Sequence, residues 1–397
     1  MTDTLSSNAL TGTHDTQKGA GESQMIAVAK RHGVSPFRQF AEIFRLRRGR
    51  NQMTALEYYD YQLFRPDLPA EKKREFVGDR GSYALNLRLA PPALTHMRNF
   101  LSDKLGLTAM MGALGLRTTT LQAACSPTRG FGTLRTLRNA AEVETFLRAE
   151  ARFPLFGKPI RGAQARGSVM ITGIEGDTAI LGNGQRTPLA QLAGEIAANT
   201  EHGYVFQDAA PVAPAIAALT GSPAVSTLRV VTVNRTGTPE VLYTAWKLPS
   251  PRAMSDNFWQ EGSLIAEVDA TSGIVRKVRQ GTGLATQWVD KHPVTGADLT
   301  GIALPGFDGA VALARAAHAV VPDNGILGWD IGLTEGGATL IECNENTGHA
   351  LYQLSSDRGI LNADFLPVFD AVMARNAKMA ATHEADRKAY HKAQSRF

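Results

Sequence analysis

Residues 328–344 restrict the possible folds of this chain more than any other segment. Two apolar runs flank a Glu-Gly-Gly turn at residues 335–337, and this pattern predicts a β-hairpin. The hairpin would place Asp330 and Glu342 on neighbouring strands. Asn344 would share a face with Glu342, because side chains alternate along a strand. The sequence therefore predicts that three oxygen-bearing side chains converge on the sheet.

These three side chains are candidate metal ligands. Carboxylate and amide oxygens, without thiolate or imidazole, are the donors that Mg²⁺ prefers. The alternative is an ordinary hairpin whose polar side chains are solvated. Both carboxylates have apolar residues on either side in the sequence, and burying them is costly unless a cation or a donor is present. We therefore predict that Asp330, Glu342 and Asn344 bind Mg²⁺.

The composition is that of a globular protein of two or three domains, with 397 residues, 43% hydrophobic and 20% charged. The two cysteines, Cys125 and Cys343, imply neither a disulfide framework nor a zinc site. No apolar run approaches the length of about 18 residues that spans a bilayer, and no signal peptide is recognisable. We therefore predict a cytoplasmic location. The net charge of +5 does not demand nucleic-acid binding.

The chain is predicted to begin with a disordered tail and a helical region. Residues 1–22 contain almost no large apolar side chains and cannot offset the entropy of ordering. A helix over residues 36–48 would begin at Ser35-Pro36. Its end is strongly basic and its aromatic stripe would either pack on its own domain, which is the commoner outcome, or contact an anionic membrane. That stripe consists of Phe37, Phe40 and Phe44.

Two lysines and a loop are candidates for binding an anionic ligand. Lys104 follows Asp103 in the first turn of a predicted helix, where an exposed lysine is the ordinary interpretation. Lys158 lies in an apolar predicted strand, where an unpaired ammonium group needs an anionic partner such as polyphosphate, or a sheet edge. A small-residue loop follows. In a P-loop the last glycine is followed by lysine and a helix, whereas here Gly167 is followed by Ser168 and a predicted strand, so this loop is not a P-loop. A plain hairpin loop is the alternative.

The order of these segments resembles that of ATP-grasp enzymes. The resemblance rests on Gly-Trp-Asp-Ile and Leu-Ile-Glu-Cys-Asn in the hairpin, together with the strand lysine and the glycine loop before it. It points to the sugar-transfer-associated, α-L-glutamate-ligase-like branch and covers about residues 36–370. It implies an α/β fold in which two subdomains grip ATP, preceded by a helical N-terminal region.

The resemblance also implies roles for individual residues. The residues expected to bind ATP are Lys104, Lys158, Gly162, Gly167, Ser168, Gln207 and Asp208. Lys158 and Arg229 would be catalytic, with Arg229 stabilising the transferred phosphoryl group. The residues expected near the acceptor substrate are Lys247, Asn257, Gly262 and His349. The chain departs from the family pattern at Glu261, where glycine is usual, and at Lys247, where arginine is expected.

The implied activity is an ATP-dependent carboxylate–amine ligase. A substrate carboxylate would accept the γ-phosphoryl group, and an amine would displace phosphate from the acylphosphate to form an amide. The cofactors would be ATP and two Mg²⁺ ions, and the partners a small-molecule carboxylate and an amine. Two alternatives stay open: a catalytically silent nucleotide-binding scaffold of a polysaccharide or peptide assembly system, and a phosphotransferase acting on a sugar or alcohol.

The resemblance and the composition together predict five segments. They are a disordered tail (1–22), a helical N-terminal region (23–135), a small ATP-grasp subdomain (136–208), a large subdomain with the metal site (209–376), and a helical or frayed tail (377–397).

Overall fold

The computed structural model of the chain describes residues 9–10, 23–199 and 201–394. The predicted disordered tail therefore lies outside the described residues, apart from residues 9–10. Within these residues seven helices precede the first strand, so the predicted helical N-terminal region is present. They are α1 (Gln24–His32), α2 (Pro36–Leu46), α3 (Ala55–Asp60), α4 (Ala70–Lys73), α5 (Asp79–Leu89), α6 (Arg98–Leu101) and α7 (Lys104–Ala113).

The first of two seven-stranded sheets has the strand order β2-β1-β7-β3-β4-β5-β6. Neighbouring strands in this sheet are antiparallel, except that β1 and β2 are parallel. Two helices, α8 (Ala140–Ala149) and α9 (Leu189–Ala197), pack on it. Its strands are β1 (Leu121–Cys125), β2 (Arg135–Leu137), β3 (Leu155–Pro159), β4 (Val169–Glu175), β5 (Thr178–Leu181), β6 (Arg186–Pro188) and β7 (Tyr204–Asp208).

The second sheet has the strand order β12-β11-β10-β9-β8-β13-β14 and is antiparallel throughout. Its strands are β8 (Thr227–Val233), β9 (Glu240–Leu248), β10 (Leu264–Val268), β11 (Val275–Gln280), β12 (Gln287–Trp288), β13 (Ile326–Thr334) and β14 (Gly337–Asn344). The remaining helices are α10 (Pro214–Thr220), α11 (Phe307–Val320), α12 (Ala350–Ser356) and α13 (Leu366–Gln394), with a 3₁₀ turn at Gly283–Ala285.

The second sheet is covered on both faces, which explains why every residue of β8 and β13 is buried. Helix α11 packs on one face, where Trp246 and Trp329 lie in its core. The N-terminal helices and α12 pack on the other face, where Tyr58 and Phe64 lie in one core with Ile265. Side chains that alternate along each strand therefore reach two different cores.

The predicted hairpin forms with the predicted partners. Strands β13 and β14 pair antiparallel, with Asp330 opposite Glu342 and Gly328 opposite Asn344. A bulge after Asp330 shifts the register and locally bends the strand. Strand β1 joins the first sheet, although it falls within the segment 23–135 that is predicted to be helical; the subdomain boundaries stay predictions.

Side-chain caps fix the helix starts that the sequence signals. Ser35 accepts a hydrogen bond from the Arg38 N–H at the start of α2, and Asp103 accepts one from the Gly106 N–H at the start of α7. Both helices therefore begin where a cap residue satisfies an unpaired backbone donor. None of the helices in the described ranges combines the length and the apolar character that crossing a bilayer requires.

The expectation that the aromatic stripe of α2 packs on its own domain is wrong. Phe37, Phe40 and Phe44 are 82%, 61% and 47% exposed. The helix instead buries the opposite side, where Gln39 donates hydrogen bonds to backbone carbonyls and Leu46 enters the core. The buried side of this helix thus carries an amide with hydrogen bonds to neighbouring segments, and its largest apolar side chains face solvent.

A buried histidine, His318, makes the second sheet sensitive to acid. Its Nδ1 lies 2.7 Å from Thr232 Oγ1, and its Nε2 lies 2.8 Å from the Asn324 carbonyl oxygen. Burial lowers the pKa of His318 from 6.5 to about 4. The unfolded chain therefore binds this proton more tightly, so stability is full above pH 6.5 and falls as the pH drops toward 4.

We expect this residue to lower the free energy of unfolding by about 2 kcal/mol between about pH 7.5 and about pH 5. Urea unfolding of the wild type and of His318→Gln at both pH values measures the effect, because the variant lacks the titrating ring. His383→Gln, at an exposed position of α13, is the matched control. The same pH dependence in wild type and His318→Gln would contradict the prediction.

Candidate active site

The two sheets border one pocket that contains seven of the predicted site residues. Lys158 reaches it from β3 and Gln207 from β7, while Asp330 and Glu342 reach it from the hairpin. The start of α7 and the loop after β3 close its sides. The pocket is also lined by three further residues that the sequence predicted for the site, Lys104, Gly162 and Ser168.

Lys158 carries a buried ammonium group at the floor of the pocket. Its side chain is 4% exposed, and its Nζ donates one long hydrogen bond, of 3.4 Å, to the Ile341 carbonyl oxygen. In the described residues no carboxylate lies within 4.0 Å of this nitrogen. Burial lowers the pKa of Lys158 from 10.5 to about 8, although Glu342 opposes the change. An anionic ligand would supply the partner that this group lacks.

Lys104 is held beside the same space by the start of α7. The Lys104 N–H donates to the Ile160 carbonyl oxygen at 3.0 Å, and its Nζ donates to the Gly162 carbonyl oxygen at 2.7 Å. The same nitrogen lies 3.6 Å from a Glu342 carboxylate oxygen. The prediction of an ordinary exposed lysine is therefore the weaker one, since the side chain is only 12% exposed.

A network of buried charges lies beside the hairpin. Arg229 Nε and Nη2 donate to the two carboxylate oxygens of Asp330, at 2.5 and 2.9 Å. Lys247 Nζ lies 3.1 Å from Asp330 and 2.5 Å from Asp256. The strand register creates these contacts, because Arg229 pairs with Asp330 and Lys247 pairs with Thr227 two residues along the same strand.

The network shifts the acid–base equilibria of its members. Burial alone would raise the pKa of Asp330, but Arg229 and Lys247 outweigh burial and hold it well below its usual range. Burial would likewise lower the pKa of Arg229 and of Lys247, but the carboxylates nearby raise both. All three groups are therefore charged across the physiological pH range, and each depends on the others.

The donor set for a metal ion is uneven. Glu342 is 25% exposed and has one ion-pair contact, to Lys104, and Asn344 lies beside it in the same strand. Asp330 is saturated by Arg229 and Lys247, and the Asn344 amide nitrogen also approaches it, at 3.5 Å. Within the described ranges no three His, Cys, Asp or Glu side chains converge as a metal site. Glu342 and Asn344 fit Mg²⁺, with Asp330 available only if its cations move.

The loop after β3 contains several residues with positive φ angles. Gly162 and Gly167 have positive φ angles of 147° and 72°, which a side chain would strain. Gln164 and Ala165 also adopt positive φ, and the Asn257 side chain donates to the Gln164 carbonyl oxygen at 2.8 Å. The loop is thus held from the other side of the pocket by Asn257.

Neighbouring residues of β7 point in opposite directions. Gln207 is 3% exposed and lines the pocket, and its side-chain oxygen has no hydrogen-bond partner among the described residues. Asp208 faces away from the pocket and accepts hydrogen bonds from Gln122 and Arg152 at 2.5 and 3.1 Å. A buried amide oxygen without a partner is costly, and of these two predicted residues only Gln207 lines the pocket.

Comparison with known proteins agrees with this architecture. The family model described as "Sugar-transfer associated ATP-grasp" matches residues 95–365. The chain belongs to this family. It therefore has the α/β ATP-grasp fold, with a helical region before it. No curated protein matches the chain.

Solved structures similar to this ATP-grasp protein are distant from it. The D-alanine–D-alanine ligase of Coxiella burnetii is 9% identical with a TM-score of 0.41, over 74% of this chain and 62% of that one. A biotin carboxylase of Campylobacter jejuni is 10% identical with a TM-score of 0.39, over 69% and 46%. An L-amino acid ligase of Bacillus licheniformis is 12% identical with a TM-score of 0.36, over 69% and 48%. The chain spans less than two thirds of each of the three.

None of the four residues predicted for the acceptor substrate, Lys247, Asn257, Gly262 and His349, is among those that line the pocket. His349 is fully buried, with its Nδ1 2.9 Å from Tyr243 Oη and its Nε2 3.1 Å from Asn86 Oδ1. Burial lowers the pKa of His349 to about 3, so the ring is neutral and both nitrogens have partners. Gly262 lies in the loop before β10, beside a separate surface cleft that Glu261 lines.

Several pocket residues of this ATP-grasp protein were not predicted from the sequence. Asp256 is the most important, because it pairs with Lys247, accepts a hydrogen bond from Thr227 and lines the pocket. Its position next to Asn257, in the Asp-Asn-Phe segment, was the available signal. The apolar lining was not predicted either; its larger members are Phe156, Met170, Pro223, Val225, Met254 and Ile341.

Proposed function

We propose that the protein is an ATP-dependent carboxylate–amine ligase. The observation that carries the proposal is the buried ammonium group of Lys158, which shares one pocket with Lys104, Glu342 and Gln207. The side-chain oxygen of Gln207 has no hydrogen-bond partner in the part of the chain that the structure describes. Cationic, acidic and neutral acceptor groups thus line successive parts of a single space. A nucleoside triphosphate with a divalent cation offers matching chemistry for all of them.

Residues in the pocket and beside it have separate parts in the proposal. Lys104 and Lys158 hold the phosphates, and the apolar lining with Gln207 holds the base, whose exocyclic amine can donate to the free amide oxygen. Glu342 and Asn344 would hold Mg²⁺, which supplies charge neutralisation for phosphoryl transfer. Arg229 is hydrogen-bonded to Asp330. It would therefore stabilise the transferred phosphoryl group through the electrostatic field of the charged network, without direct contact.

The proposed reaction has two steps in which the protein excludes water and positions the reactants. The substrate carboxylate oxygen bonds to the γ-phosphorus while the bond to the β-phosphate oxygen breaks, giving an acylphosphate and ADP. The amine nitrogen then bonds to the acyl carbon, inorganic phosphate leaves, and the nitrogen loses a proton. No protein nucleophile is required.

Glu342→Gln tests the metal role in this proposal. We expect the variant to bind ATP at least about tenfold more weakly in the presence of Mg²⁺ and to lose nearly all ADP release with carboxylate and amine mixtures. Calorimetry and a coupled ADP assay measure the two effects. Glu335→Gln, at the exposed turn of the same hairpin, is the control. Full turnover in Glu342→Gln would exclude the proposed ligase.

The product of the reaction decides between the ligase and its alternatives. Mass spectrometry of the product would show an amide for a ligase and a stable phosphate ester for a phosphotransferase. Tight ATP binding without ADP release across carboxylate, amine, sugar and alcohol mixtures would favour a nucleotide-binding scaffold.

Gln207→Ala tests the proposed base site. We expect ATP binding to weaken about tenfold, because a polar partner of the base is lost. Asp208→Ala, which changes the next residue on the opposite face of β7, is expected to leave ATP affinity within about twofold. Calorimetry with ATP and GTP measures both variants. Equal losses in the two variants would place the base elsewhere.

A further inference from the structure

Helix α2 carries an aromatic ridge, formed by Phe37, Phe40 and Phe44, that projects from the protein surface. The rings of Phe40 and Phe44 stack with their centroids 6.3 Å apart. The spacing of the three residues places them on one face of the helix. The buried face contains Gln39 and Leu46 instead. The aromatic face of this amphipathic helix therefore points toward solvent.

Basic side chains surround the aromatic ridge. Residues 30–50 contain seven lysines and arginines and one acid, Glu42. The guanidinium of Arg48 lies 4.0 Å from the centroid of the Phe44 ring. Glu42 accepts hydrogen bonds from Lys73 at 2.9 Å, from Tyr58 at 2.6 Å and from Arg38 of the same helix at 3.1 Å. The only acid in this segment therefore contributes little negative charge at the ridge.

Nothing in the active site accounts for this surface. None of the residues of α2 lines the pocket. Residues 11–22 contain no aromatic or large aliphatic side chain, so this part of the N-terminal sequence offers no apolar cover for the ridge. Exposed aromatic side chains grouped on one short helix mark an interaction site, and its partner must accept both aromatic rings and positive charges.

We propose that α2 docks the protein on an anionic lipid surface. The rings of the aromatic ridge enter the interfacial region, and the arginines around it contact phosphate and anionic headgroups. A cluster of basic residues on an amphipathic helix is typical of binding to anionic lipid, and a planar anionic surface accepts apolar rings and flanking arginines together. This proposal goes beyond the ligase activity and stands independently of it.

Vesicle flotation of the full chain tests the proposal. We expect binding to vesicles of phosphatidylcholine with about 30% phosphatidylserine, little binding to phosphatidylcholine alone, and release by high salt. Phe37→Ser/Phe40→Ser is expected to weaken binding about tenfold or more. The control, Val294→Ser/Tyr390→Ser, removes two other exposed apolar side chains, at 69% and 60% exposure, and should bind like the wild type.

Circular dichroism and thermal melting show whether Phe37→Ser/Phe40→Ser, the ridge variant, keeps its fold. Neither measurement depends on ATP binding or on the proposed ligase activity. Failure of the wild type to float, equal binding to neutral and anionic vesicles, or unchanged binding by the folded ridge variant would each overturn the proposal. Self-association that the ridge variant abolishes, without vesicle binding, would assign the ridge to a second copy of the chain and would also overturn it.

Discussion

Asp330→Asn is expected to lower the free energy of unfolding by about 3–5 kcal/mol, the largest stability effect of any single substitution in the pocket. The substitution keeps the size of the side chain but removes its charge. Arg229 and Lys247 would then lie buried, at 7% and 6% exposure, with Asp256 as the remaining carboxylate in the network. Chemical denaturation with urea, monitored by fluorescence, measures the loss.

The matched control is Glu342→Gln in the strand opposite. Glu342 pairs with Asp330 in register but is 25% exposed, and its nearest cation is 3.6 Å away. We expect a change below about 1 kcal/mol. A double-mutant cycle with Arg229→Gln then isolates the coupling, because the double variant leaves one buried cation fewer. Equal stability losses in Asp330→Asn and Glu342→Gln would refute the distinction between the two carboxylates.

The pairing of Asp330 with Glu342 could be predicted from the sequence, but the difference between the two carboxylates could not. Local spacing predicted the hairpin, and pairing of Asp330 with Glu342 follows directly from the turn. The partner of Asp330, however, is Arg229, which lies 101 residues earlier in the chain. Only the order of strands in the sheet brings the two together. The prediction that Asp330, Glu342 and Asn344 bind a metal ion therefore did not include the pairing of Asp330 with Arg229 and Lys247.

The same reasoning explains the other differences. Strand alternation, applied to β7, separates Gln207 from Asp208, but the sequence does not show which face borders the pocket. His349 looked accessible because it follows the hairpin in a loop, yet Tyr243 and Asn86 from distant segments enclose it. For α2, periodicity located the aromatic stripe but could not show which side of the helix the protein would bury.

Lys158→Met is expected to abolish measurable ATP binding while making the protein more stable. Methionine keeps the apolar length of the side chain and removes a buried ammonium group without a carboxylate partner. Because the pKa of Lys158 falls from 10.5 to about 8 on folding, the charged form opposes folding at neutral pH. We expect a gain of about 1–3 kcal/mol near pH 7, and a loss in ATP affinity of about a hundredfold or more.

The pH dependence gives this prediction a second readout. Folding lowers the affinity of Lys158 for its proton, so the wild type gains stability as the pH rises from about 8 toward 10.5. Lys158→Met should lack this gain. Urea unfolding at two pH values in this window, together with calorimetry of ATP binding near neutral pH, measures both properties in the same samples.

Lys247→Met provides the opposite control within the same pocket region. Lys247 is as deeply buried as Lys158, but it contacts two carboxylates, at 2.5 and 3.1 Å, so its removal should destabilise the protein by about 3 kcal/mol or more. Two lysine-to-methionine changes of equal chemistry would then have opposite effects on stability. If both destabilise the protein, Lys158 has a structural partner and its assignment to the phosphates fails. If stability rises only for Lys158→Met and ATP binding is lost, the unpaired charge is held in the fold for a ligand.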